Sequence, residues 1–273
     1  MKLSQTLFLI FVISLFLQAC EEINAVETID ELSIEAYLFP NKPVTGVHIS
    51  KVIPLDSTQA EEAPRDIEPL IIDEQGTPWL LSWSAEDSTY QNLDLVIEEG
   101  KTYRLELAYK GKTISAETLI PTAPQQLQIS QTSVGRVLID DFTDLQNQTF
   151  PDPVELNWAD EENAYFFVEV RNTESNPDPI NQLFDDGQGP PRFSDQTEPS
   201  TASYYALNTI RDLTHFGNHV IIVYRVNPEY VALYEDNSSG TGTLNEIRTN
   251  VQNGFGIFTG VNSASVSFFV KRE

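Results

Sequence analysis

Few residues of this chain are of types that do chemistry, and their spacing limits what that chemistry is. His215 and His219 stand four apart, the spacing that presents two imidazoles to zinc from one helical face. Gly217 and Asn218 between them predict a turn leading into a strand instead. No glutamate or third ligand stands at a recognised distance, so a loop histidine and a strand-start histidine are favoured over a metal pair. Carboxylates cluster at Asp140, Asp141 and Asp144, and again at Asp185 and Asp186 before Gly187. Oxygen ligands suit calcium, but neither cluster follows the twelve-residue loop that fixes calcium geometry, and solvated acidic loops are favoured. No Gly-x-Ser-x-Gly elbow, His-Glu-x-x-His pair, phosphate loop or dinucleotide-binding glycine pattern occurs. The sequence therefore nominates no catalytic residue, no metal ligand and no cofactor-binding residue. Cys20 is the sole cysteine, which excludes a disulfide, a thiolate zinc cluster and a cysteine nucleophile within a fold.

The place of that cysteine predicts its use. Lys2 gives a cationic start, and Leu7 to Leu17 is apolar except for Ser14. Gln18, Ala19 and Cys20 end the run well short of the roughly 20 apolar residues that a spanning helix needs. This order is that of a secretory signal peptide over residues 1–19. Leu17-Gln18-Ala19-Cys20 resembles the lipobox of bacterial lipoproteins, which implies lipidation of Cys20 and cleavage before it. Several acyl chains on one residue make a durable anchor, because each buried methylene contributes about 0.8 kcal/mol and a single chain is marginal. Residues 20–31 read as the lipidated cysteine and an acidic, flexible tether.

Charge narrows the partners. The chain has 41 acidic against 16 basic residues, and removing the leader deletes Lys2 and no acid. Such a surface repels phosphate backbones, and no run of Lys or Arg is present to release counterions, so nucleic acid is disfavoured as a partner. The acidity reads as a solvated, soluble surface.

From Leu32 the apolar period is two, the signature of half-buried strands. Leu32–Leu38 and Val47–Val52 alternate. In Thr102–Tyr109 the side chains of Tyr103, Leu105, Leu107 and Tyr109 share one face, and Lys110-Gly111 turns the chain into a partner strand, Lys112–Leu119. With Ile67–Ile72 and Trp79–Trp83, these predict an N-terminal β-sandwich over residues 32–120. Pro121 and Pro124 mark a stiff linker. A second β-sandwich is predicted over 125–273. Val154–Trp158 and Tyr165–Val170 form its early strand pair, a pattern that resembles immunoglobulin-like fibronectin type III modules. Its one short helix, 228–236, has Asn227 as cap, Pro228 first and Glu229 at the positive end. Asn253–Thr259 and Ala264–Val270 read as closing strands. The fold class is thus mainly β, with two consecutive sandwiches and one short helix.

Residues 172–200 are rich in Pro, Asp, Asn and Gly, and predict a long mobile loop. Its aromatics Phe184 and Phe193 are the candidates for partner contact. Trp79, Leu81 and Trp83 share a pleat direction and read as a core face rather than a binding face. Asp56-Ser57-Thr58 and Asp87-Ser88-Thr89 resemble the O-glycosylation acceptor motif of exported Bacteroidetes proteins.

The order of these features resembles that of the lipoproteins called DUF4249. It runs from the lipobox through Ile34–Phe39, Gly100–Leu105 with its Lys110-Gly111 hairpin, and Ile120-Pro121. Val220–Val226 then leads into Asn227-Pro228-Glu229-Tyr230, and Asn253–Phe258 closes the series. The resemblance implies a Bacteroidetes outer-membrane lipoprotein, often encoded beside TonB-dependent receptors, with no catalytic residue known. The expectation is a non-enzymatic binding or accessory module that assists such a transporter in nutrient capture. A hydrolase accessory or cryptic hydrolase acting on glycan or peptide, and a structural cell-envelope spacer, are the alternatives.

Overall fold

Side-chain alternation decides where the strands fall. The computed structural model describes residues 31–53, 62–147, 151–159, 164–182, 194–238 and 249–273. Its first half holds β1 (Leu32–Leu38), β2 (Pro43–Lys51), β3 (Leu70–Ile72), β4 (Pro78–Leu80), β5 (Ser82–Ser84), β6 (Thr89–Val96), β7 (Thr102–Tyr109) and β8 (Lys112–Leu119). The second half holds β9 (Gln125–Ile129), β10 (Ser133–Arg136), α1 (Phe142–Asn147), β11 (Val154–Ala159), β12 (Tyr165–Asn172) and β13 (Ser194–Gln196). It continues with β14 (Tyr204–Leu207), β15 (Gly217–Val226), α2 (Pro228–Ser238) and β16 (Phe255–Arg272). The fold is mainly β, as the alternation predicts.

The β7–β8 hairpin forms where expected. Lys110 and Gly111 both have positive φ, 47° and 79°, the pair of values that matches a two-residue turn to the twist of its strands. A four-stranded sheet, β4-β3-β7-β8, faces the β1-β2-β6 region across a core of Ile34, Leu38, Ile49, Leu105 and Leu107. A second core gathers Leu156 and Trp158 of β11, Val168 of β12, Ile221 of β15 and Phe268 of β16. Trp158 lies edge-on to Phe166 at 5.5 Å between ring centroids.

The last strand departs from expectation. The two predicted closing strands are one element of 18 residues. Its first part pairs in parallel with β1, Ser33 to Leu38 opposite Phe255 to Gly260, and its second part pairs antiparallel with β15. One sheet therefore runs β13-β12-β15-β16-β1-β2-β6-β5 through both halves of the chain. Val251 and Phe258, assigned from sequence to the second unit, are buried in the first core. Close approach explains the glycines. A Cβ on Gly256, whose φ is +102°, would lie 1.9 Å from the Ile34 carbonyl oxygen, and one on Gly260 would lie 2.6 Å from that of Leu119.

The described parts of the long loop, 172–182 and 194–200, are more ordered than their composition suggests. Ile180 is 2% exposed, inserts into the second core, accepts a backbone hydrogen bond from the Ile139 N–H and donates one to the Thr214 carbonyl. One apolar side chain at a buried site fixes residues 179–182 beside the core. Farther on, β13 pairs with β12, and Phe166 and Ser200 exchange both backbone bonds.

Trp79 to Trp83 is not one strand either. β4 and β5 belong to different sheets, and buried Leu81 between them donates its N–H to the Pro69 carbonyl. Both tryptophans still pack against the first core, as read. Ile67–Ile72 shortens to β3, because Pro69 has no N–H to give to a ladder. The short α1 was not foreseen. In α2, Asn227 caps through its backbone carbonyl, which accepts from the Tyr230 N–H at 3.0 Å. Its side-chain amide instead donates to the Leu119 carbonyl at 2.8 Å.

Candidate functional site

A groove of about 670 Å³ opens on the first unit, between the end of β2, the segment 62–68 and β5. His48 and Lys51 come from β2, Trp83 from β5, and Ser88 from the turn between β5 and β6. Segment 62–68 cannot be a regular strand, since prolines stand at 64 and 69, yet it is pinned. Pro64, Ile67 and Pro69 are buried, and the Tyr90 hydroxyl donates to the Pro64 carbonyl. The pinned backbone carries Arg65 and Asp66 outward, where they line this groove and a second one of about 650 Å³ on the other side of the segment.

Two contacts set the electrostatics. Lys51 Nζ lies 2.8 Å from Glu62 Oε2, which raises the lysine's pKa above its usual value. Both groups are exposed, so the pair adds little to stability. The Arg65 guanidinium lies over the Trp83 ring, 4.9 Å from its centroid, and Trp83 in turn packs edge-on to Tyr90 at 5.2 Å. A guanidinium stacked this way keeps its N–H edge for a flat, two-oxygen acceptor. The Trp83 indole N–H is buried and has no partner among the described residues.

The groove lies where the chain enters the fold. Val52 N–H donates to the Glu31 carbonyl at 3.0 Å, Leu32 stands opposite Lys51 in the β1–β2 register, and Lys112 Nζ lies 3.8 Å from Glu31 Oε1.

The residues singled out from sequence fare differently. Cys20, Phe184, Phe193, Asp185, Asp186 and Asp56-Ser57-Thr58 lie outside the described residues. Ser88 is exposed, whereas the Thr89 hydroxyl beside it is buried without a partner among the described residues. Asp140, Asp141 and Asp144 do converge, with one oxygen of each within 4.8 Å of the others. Their geometry is that of a helix start. Asp141 Oδ1 accepts from the N–H groups of Thr143 and Asp144 at 2.6 and 2.9 Å, which lowers its pKa, while the bond that Asp140 shares with Asp144 raises the pKa of Asp140.

His215 and His219 have different hydrogen-bond partners. His215 Nδ1 meets the Thr214 hydroxyl at 2.8 Å. His219 is 5% exposed, with Nε2 at 3.3 Å from Asn172 Nδ2 and Nδ1 at 3.1 Å from the Gly217 carbonyl. An amide donor on one nitrogen and a carbonyl acceptor on the other fix the neutral ring, and burial lowers its pKa. What sequence reading missed was the Arg65–Trp83 stack. Its one visible signal was Ala-Pro-Arg-Asp-Ile-Glu-Pro, where a lone isoleucine between prolines marks a pinned turn.

Among solved structures, a two-domain fibronectin type III segment of chicken tenascin is similar, at 11% identity over 72% of this chain and 89% of that one, with a TM-score of 0.21. Comparison with curated proteins finds no match. A family model described as a domain of unknown function, DUF4249, matches residues 21–267, and the chain belongs to that family.

Proposed function

We propose that this protein is an exported lipoprotein, held by lipid on Cys20 to the outer membrane, whose folded part is a non-enzymatic binding or accessory module for a TonB-dependent transporter in nutrient capture. The observation that carries the binding role is the position of the groove. Lys51, which lines it, stands opposite the first residue of β1, so the groove lies beside the root of the predicted tether. A ligand held there sits at the anchored end of the molecule, near any partner in the same bilayer. No helix among the described residues is long and apolar enough to cross a membrane.

The test is purification of the lipidated protein from its own outer membrane, with mass spectrometry of what accompanies it, beside a Cys20→Ser variant. The expected result is a co-purifying TonB-dependent receptor, and loss of membrane partitioning in the variant. A variant that stays with the membrane removes the anchor, and a clean preparation with no transporter removes the accessory role.

A further inference from the structure

We propose that the groove beside Arg65 binds a zwitterion: a ligand carrying a flat or tetrahedral oxyanion and a primary ammonium. This names the ligand class for the binding role proposed above and rests on that reading.

The reasoning starts from charge pairing. With 41 acids for 16 bases, a cation of this protein has many carboxylates to meet. Lys51 pairs with Glu62, Lys101 with Glu74, Arg171 with Glu169 and Arg272 with Asp178. Arg65 makes no ion pair or hydrogen bond among the described residues, although Asp66 follows it directly, and Asp66 makes none either. Its guanidinium stacks on Trp83 instead. The groove thus presents one closed pair, Lys51–Glu62, beside a cation without an ion pair and an anion, Asp66, that feels Lys51 through space but makes no ion pair with it.

Each open charge specifies a group. The guanidinium edge donates two parallel N–H bonds to a carboxylate or phosphate. The Asp66 carboxylate accepts from an ammonium N–H and gains much less from a trimethylated ammonium, which has no N–H. A simple anion would meet Asp66 and Glu62 unfavourably, and a simple cation would meet Arg65. Only a ligand with both charges satisfies the pair. Buried Pro64 and Ile67 fix the backbone on either side of the two residues, so little ordering is needed on binding. The volume suits a small molecule or a lipid headgroup.

The experiment is calorimetric titration of the full chain, purified from membranes in a non-ionic detergent. The soluble probes are O-phosphoethanolamine and glycylglycine, with inorganic phosphate and ethylamine as single-charge comparators. The lipid arm is flotation of the full chain carrying Cys20→Ser, which brings no acyl anchor of its own, with vesicles of phosphatidylethanolamine and phosphatidylcholine against vesicles of phosphatidylcholine alone. Saturable binding of either soluble zwitterion, weakened about tenfold or more by both Arg65→Ala and Asp66→Asn, supports a free ligand. Retention only on vesicles with phosphatidylethanolamine, lost in both variants, supports a headgroup. Unchanged denaturation midpoints show that the variants fold. Phosphate or ethylamine binding as tightly as the zwitterions, variants that bind like the parent, or no binding in either arm would each overturn the proposal. Co-purification of a transporter is a separate result, so this idea and the accessory role fail independently.

Discussion

The Thr118 hydroxyl on β8 donates to Glu229 Oε1 at the start of α2, at 2.9 Å across 111 residues of sequence. The same carboxylate oxygen accepts from the Thr259 hydroxyl of β16 at 3.1 Å, and Thr118 Oγ1 accepts from the Gly260 N–H at 2.9 Å. Thr118 and Thr259 are 4% and 0% exposed, so their hydroxyls have no water to turn to. Glu229 therefore fastens the helix of the second half to β8 of the four-stranded sheet and to β16 of the shared sheet. Glu229→Ala leaves two buried donors with only long contacts to the Leu119 and Gly260 carbonyls, at 3.5 and 3.4 Å, and we expect a loss of about 2 kcal/mol in urea unfolding. Glu229→Gln keeps an acceptor oxygen and should lose less than half of that. Equal losses in the two variants would refute the role of the acceptor.

Gly256 tests the parallel pairing of β16 with β1. A Cβ there meets backbone, not a side chain that can swing away, and φ of +102° is unfavourable for any L side chain. Gly256→Ala should cost about 3 kcal/mol or more, or prevent folding. Gly76 has φ of +83° but open space around its Cα, so Gly76→Ala should cost only about 1 kcal/mol. Soluble yield and thermal midpoints of the two variants give the comparison, and similar values would remove the steric argument.

These two sites show what was legible in the sequence. The β7–β8 hairpin was, because alternation in Tyr103, Leu105 and Leu107 and the Lys110-Gly111 turn are local signals that agree. The continuous β16 was not. Gly260 and the polar pair Asn262-Ser263 break the apolar period and read as an interruption, whereas Gly260 lacks a side chain because the Leu119 backbone approaches there. Ile180 was hidden for the opposite reason, as a single apolar residue in a polar run has no period. The groove shares both problems. Trp83 was read correctly as a core residue, but nothing in its spacing tells that Arg65, 18 positions earlier, covers one face of the ring.

Protonation of His219 should limit stability in mild acid. Burial lowers its pKa from the usual 6.5, and both ring nitrogens are already engaged in the neutral form. The unfolded chain takes up the proton first as pH falls, so it gains relative to the folded state. Stability contributed by this site is full above the unfolded value and is lost as pH drops from about 6.5 towards the folded value, below which the loss levels off. Urea unfolding at pH 7.5 and 5.5 should show a drop in the parent protein that is smaller in His219→Gln. A variant that loses as much as the parent would place the acid sensitivity elsewhere, among the carboxylates.

Asp212 is the site where removal of one charge should do most damage. Its side chain is fully buried, and it accepts from the Tyr205 hydroxyl at 2.6 Å, the Asn208 N–H at 2.7 Å and Arg211 Nε at 2.7 Å. Burial and the carboxylate together push the Tyr205 pKa far above the usual tyrosine range, so the phenol stays protonated and remains a donor. Asp212→Ala deprives all three donors at once, and we expect a cost of about 3 kcal/mol. Tyr205→Phe removes one donor and leaves the carboxylate two others, so about 1 kcal/mol is expected. The double variant decides between a network and independent bonds. If the Tyr205 hydroxyl matters only through Asp212, adding Tyr205→Phe to Asp212→Ala should cost nothing further, and it should recover part of the loss by removing a buried hydroxyl left without an acceptor. A cost that simply adds to the first would show that the phenol acts on the turn in some other way.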